Sequence, residues 1–106
     1  MRFKSTNKYK LSILNTVKEH NINEPIKMGQ IAERYGITDR LVRDVIHELR
    51  LDGNPICGDS KGYFWPKYKN EWDRTAQRLG SYVKRLQEVI DGGNSFYQED
   101  NQESMF

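Results

Sequence analysis

Residues 28 to 53 read MGQIAERYGITDRLVRDVIHELRLDG, and no other stretch restricts the fold of this chain so tightly. Apolar residues recur at helical spacing on both sides of Gly36, a residue suited to the left-handed backbone that ends a helix. The spacing predicts a short helix over about Met28 to Tyr35, with Ile31 and Tyr35 on one side and the small Ala32 beside them. After Gly36 and Ile37, Thr38 is a good N-cap and Asp39 sits where the helix dipole favours an acid. A longer helix is therefore expected to run to about Asp52. Val42, Val45, Ile46 and Leu49 form its apolar stripe, and Asp39, Arg40, Arg43, Asp44, His47 and Arg50 its polar face. Gly53 ends it.

The next segment, GNPICGDSKGYFW, reads as a β-hairpin. Ile56 and Cys57 make one strand, Gly58 to Gly62 the turn and Tyr63 to Trp65 the return strand, closed by Pro66. An isolated two-stranded hairpin is marginal in water, so this one must lean on its neighbours. Tyr63, Phe64 and Trp65 are read as core rather than as a stacking platform for unpaired bases. Upstream, Leu11, Ile13, Leu14 and Val17 predict a first helix over Lys8 to His20, stopped by NINEP. Pro25-Ile26-Lys27 is short and extended, and offers a third strand to the hairpin. Residues 1–7, with Arg2 and Lys4, read as a flexible basic arm.

The joint spacing of QIAERYGITDRLVRDVIHELRLDGNPICGDSKGYFW resembles a winged helix-turn-helix domain, and is similar to the DNA-binding domain of biotin operon repressors. The matching residues are Ala32, Gly36, Val42, Ile46 and Leu49, followed by the Leu-Arg-x-x-Gly to Lys-Gly-Tyr pattern of the wing. The resemblance spans about residues 8–66 and stops at Pro66; the ligase domain of that family does not follow, so its enzymology does not carry over. The expected fold is mostly α with a small β-hairpin wing (α+β), a winged helix-turn-helix followed by a long C-terminal helix.

That helix is expected over 70–91. Trp72, Ala76, Leu79, Val83, Leu86 and Ile90 alternate at spacings of four and three, the seam of a coiled coil. The stripe has two possible fates: it packs back on its own domain, or it pairs with a second chain as a homodimer. Residues 92–106 begin with Gly92-Gly93 and are acidic, and read as a disordered tail.

All 17 Lys and Arg lie before residue 91, whereas four of the 15 acids lie after residue 90, so the body carries a net charge of +6. A basic body suits a polyanionic partner without specifying one. The resemblance implies double-stranded DNA, with the 38–52 helix in the major groove. Thr38, Arg40, Arg43 and His47 are the candidate reading residues, because a guanidinium can donate two bonds to guanine. Ser60 and Lys61 at the tip of the wing are candidates for the backbone. Arg2, Lys4, Lys8 and Lys10 form a possible arm. The alternative use of the same fold is a protein–protein interaction module in a replication or packaging complex.

Nothing points to an enzyme. His20 and His47 lack a nucleophile motif, Asp44-x-x-His47 lacks a third metal ligand, and the lone Cys57 reads as a small buried hydrophobe. No cofactor, no metal and no small-molecule ligand are expected. The absence of a long apolar run or a secretory leader leads to the expectation of a cytoplasmic protein without a membrane partner. In scale it resembles small regulators of bacteria and their phages, hence an expected role in transcription regulation.

Overall fold

A computed structural model describes the backbone of residues 2–104 and the side chains of residues 6–98. The elements in chain order are α1 (Arg2–Lys18), α2 (Met28–Tyr35), α3 (Asp39–Leu51), β1 (Cys57–Asp59), β2 (Gly62–Phe64) and α4 (Lys69–Ser104). The fold is mostly helical, with one two-stranded antiparallel hairpin and a long final helix. Contacts divide it into two units, Met1–Thr75 and Ala76–Phe106.

In the first unit, three amphipathic helices bury their stripes against one another. The core holds Ile13 and Val17 from α1, Ile31 and Ala32 from α2, and Val42, Val45, Ile46 and Leu49 from α3. Ile26 and Ile56 close it from the flanking segments. Polar groups at the seam between α1 and α2 are paired: the Tyr35 hydroxyl donates to the Ser12 carbonyl and shares a hydrogen bond with the Thr16 hydroxyl.

The ends of these helices follow local chemistry. Asn21 stops the chain after α1, its side-chain oxygen accepting from the amides of Asn23 and Glu24 in an Asx turn. Gly36 ends α2 at φ 64° and ψ 39°, with its own N–H bonded to Glu33 and that of Ile37 reaching back to Ala32, the Schellman closure. Thr38 then caps α3, its hydroxyl accepting from the Leu41 amide at 3.1 Å.

The turn of the hairpin is tighter than the Gly58 to Gly62 expected from the sequence, and the strands are correspondingly shifted. Cys57 pairs with Phe64, Gly58 with Tyr63 and Asp59 with Gly62, leaving Ser60-Lys61 as a two-residue turn. Cys57 and Phe64 are buried, and Tyr63 and Trp65 half-buried against the core, the packing role expected of the aromatics. The expected third strand contracts to a single bridge in which Ile26 and Tyr63 exchange two backbone hydrogen bonds of 2.8 Å. Gly62 makes this approach possible. Its φ is +142°, and a Cβ there would lie 2.4 Å from the Ile26 carbonyl oxygen.

Several expectations need correcting. Of the residues 1–7 expected as a flexible arm, Arg2 to Asn7 are the start of α1 and Met1 lies outside the described residues; Thr6 is only 2% exposed. The side chains of Arg2 and Lys4 lie outside the described residues. Leu11 is 70% exposed instead of buried, because it falls about 200° around the helix from Ile13.

The disordered tail of residues 92–106 is also corrected, since α4 begins at Lys69 and continues through Gly92-Gly93 to Ser104. A glycine weakens a helix without removing its amide, and two side-chain bonds support the region here. Gln87 donates to the Asp91 carboxylate, and the Ser95 hydroxyl to the Asp91 carbonyl. Met105 and Phe106 lie outside the described residues. The first turns of α4 belong to the first unit: Glu71 and Thr75 are buried, Trp72 is half-buried, and the Thr75 hydroxyl accepts from the Gly58 amide.

Candidate nucleic-acid interface

The core determines which side of α3 faces outward. With Val42, Val45, Ile46 and Leu49 all at most 2% exposed, the residues between them must point away. Arg40, Arg43 and His47 are exposed, and Thr38 is exposed at the N-terminus of the same helix. Of the acids that interrupt this face, Asp39 is exposed, and Asp44 and Glu48 are half-buried. Neither Arg40 nor Arg43 is ion-paired among the described residues, so both guanidinium groups keep their donors for an external acceptor. Thr38 is partly committed, since its oxygen caps the helix while its O–H remains able to donate.

Ser60 and Lys61 are exposed at the tip of the hairpin. Asp59, beside the tip, has a structural task. Its carboxylate accepts from the amides of Lys61 at 2.8 Å and Gly62 at 3.2 Å, and so forms the turn itself.

Arg50 connects helix and hairpin. Its Nε donates to the Ile56 carbonyl at 2.9 Å, and its guanidinium carbon lies 6.0 Å from the centre of the Tyr63 ring. Burial lowers the Arg50 pKa from its ordinary value, opposed by Tyr63 and Cys57. Burial likewise raises the Tyr63 phenol, with Arg50 and then Arg43 acting against the rise. Arg43 and Arg50 stand two helical turns apart on α3, and both act on the one tyrosine of β2. The Arg50 bond and ring contact thus tie α3 to the segment that carries the hairpin.

Sequence reasoning placed Arg50 with the exposed polar residues; it is half-buried and belongs to the scaffold. Its signal in the sequence is slight, one more arginine on a charged face. The lysines of the supposed arm are also redistributed. Lys10 forms an ion pair with Asp52 at 2.7 Å, joining α1 to the end of α3, and Lys8 lies 5.5 Å from the centre of the Tyr9 ring.

Cys57 is fully buried, and its thiol is pushed up chiefly by that burial, while a hydrogen bond with Thr75 acts in the opposite direction. Such a thiol stays protonated and inert near neutral pH. Among the described residues, no group of three or more His, Cys, Asp or Glu is placed to hold a metal ion, and no helix is long and apolar enough to cross a membrane.

The arrangement presents an exposed helix face with two guanidinium groups that form no ion pair among the described residues, and a hairpin whose tip offers one hydroxyl and one ammonium. Comparison of the chain with protein-family models, curated proteins and solved structures returned no match.

Proposed function

We propose that the first unit is a winged helix-turn-helix that binds duplex DNA, serving as a small transcriptional regulator. In this reading α2, the Gly36 turn and α3 are the helix-turn-helix, and the hairpin is the wing. Arg40, Arg43 and His47 face base edges in the major groove, Thr38 donates to a base or phosphate, and Ser60 and Lys61 meet the backbone.

The observation that carries the reading is the pairing state of the arginines. A solvated amphipathic helix commonly satisfies such charges with its own acids at the next turn. Here Asp44 and Glu48 are half-buried, Asp39 is exposed one turn before Arg43, and among the described residues neither Arg40 nor Arg43 forms an ion pair with any of them. Arg50 supplies the second part of the argument, because it spends its donor on fixing the hairpin beside that face.

The test is fluorescence anisotropy of the full chain with mixed-sequence duplex DNA over a range of salt concentrations. Dissociation constants of about 1 to 100 µM that weaken steeply with salt are expected for contact with phosphates alone. Replacing Arg40 and Arg43 together by Ala should lower affinity for a selected site by about 1 to 3 kcal/mol per specific contact and relax its sequence preference. Both side chains are exposed, so the fold should survive, as circular dichroism can verify. Undiminished DNA affinity in the double variant would overturn the assignment of this face. A complete lack of binding at low salt would favour the protein-interaction use of the same fold.

A further inference from the structure

The second unit is a helix whose apolar residues are left in solvent. From Ala76 onward α4 exposes Leu79, Tyr82, Val83, Leu86, Val89 and Ile90, all between 41% and 70% accessible. In a heptad frame with Ala76, Val83 and Ile90 at a, the d positions are Leu79, Leu86 and Gly93. Tyr82, Val89 and Phe96 then fall at g, whereas the e positions Gly80, Gln87 and Asn94 are small or polar. The apolar stripe is therefore lopsided.

We propose that this stripe is covered by the same helix of a second copy of the chain, running antiparallel. Two independent features select that orientation. In a parallel pair each g residue faces an e residue of the partner, which would set Tyr82, Val89 and Phe96 against Gly80, Gln87 and Asn94. In an antiparallel pair g faces g, so the apolar flank meets an apolar flank and the polar e residues meet each other.

The second feature is charge. Between Ala76 and Arg85 the helix carries Arg78, Lys84 and Arg85 and no acid; from Leu86 to Ser104 it carries Glu88, Asp91, Glu99, Asp100 and Glu103 and no base. This polarity opposes the helix's own macrodipole, which favours acids at the start and bases at the end. Its last turn holds no basic residue. A parallel partner would add like charge to like charge along the whole length. With a paired to d, an antiparallel partner brings Arg78 opposite the partner's Asp91 and leaves like charge together only at the centre, where Lys84 and Arg85 flank the two-fold axis.

The register follows from the same frame. Pairing a with d across an antiparallel seam brings Val83 to Leu86, Leu79 to Ile90 and Ala76 to Gly93 of the partner's copy, so small residues meet at the ends and large ones at the centre. The inference does not depend on whether the first unit binds DNA.

Light scattering on the full chain at high micromolar concentration tests the stoichiometry, and pulsed electron spin resonance tests the orientation. A dimer of twice the 12.5 kDa chain mass is expected. Leu86→Lys should raise its dissociation constant at least tenfold, while the urea midpoint of the first unit stays unchanged. For orientation, Gln98→Cys in a Cys57→Ala background carries one spin label per chain. In the antiparallel register the two labels lie about 40 Å apart at 1.5 Å per residue, against roughly one helix diameter, about 10 to 12 Å, in a parallel pair. If Cys57→Ala does not fold, the same distance is read with Cys57 retained, because its buried thiol resists labelling. A monomer at these concentrations overturns the proposal, as does a dimer with the short distance.

Discussion

The chain up to Thr75 and the helix beyond Ala76 are built from similar apolar patterns with opposite outcomes. In the first unit Val42, Val45, Ile46 and Leu49 recur at helical spacing and are almost completely covered. In the second, Leu79, Val83, Leu86 and Ile90 recur with comparable regularity and stay exposed. The difference lies in what the rest of the chain can bring to each stripe. Tight reversals at Asn21, Gly36 and Gly53 fold α1, α2 and the hairpin over α3, whereas α4 has no reversal across its length. Periodicity shows that a face needs covering; turns decide whether the same chain does it.

The contrast is most strongly tested by truncating one residue from each stripe. In urea denaturation Ile46→Ala should destabilise the first unit by about 2 to 5 kcal/mol, whereas Val83→Ala should change its unfolding free energy by less than about 0.5 kcal/mol. A large loss in the second variant would show that the α4 stripe is core to the first unit after all.

A smaller effect is expected at Gly62, where the first unit brings two backbones together. Gly62→Ala forces a Cβ onto the Ile26 carbonyl and holds a left-handed φ, and should cost about 2 to 3 kcal/mol in the same denaturation experiment. A near-neutral result would mean that the Ile26–Tyr63 bridge is dispensable. The smallest effect has the opposite sign and belongs to α4. Replacing Gly92 and Gly93 by Ala, where nothing lies within 4 Å, should stabilise the helix by up to about 1 kcal/mol per site, read as increased helicity by circular dichroism. Lower helicity would show that the glycines serve a bend in α4.

What could be read from the sequence follows the range of the forces involved. Gly36, Thr38 and Gly53 mark helix ends because their effect is exerted on backbone within a few residues. The outward placement of Arg40, Arg43 and His47 was legible as the complement of a clear buried stripe. Arg50 was not, because its partners Ile56 and Tyr63 come from the hairpin and no local pattern separates it from Arg43. The continuation of α4 past Gly92-Gly93 was missed because two weak helix formers only lower the odds of helix, and the bonds made by Gln87 and Ser95 around Asp91 offset them. At the N-terminus, polar composition suggested a loose arm, whereas the backbone is helical from Arg2 and Thr6 within it is buried.

The Asx turn at the hairpin tip carries one further consequence, for how such a protein changes over generations. Asp59 shapes the turn through an oxygen that accepts two amide protons, a task that an asparagine oxygen can also perform. One codon change there alters the charge of the tip by a full unit and keeps its form. Arg50 allows no such separation, since a single side chain provides both the charge and the bond to Ile56. The charge of the hairpin tip can therefore drift at position 59 without moving the scaffold, while position 50 ties charge and form together and should admit far fewer neighbours in sequence space.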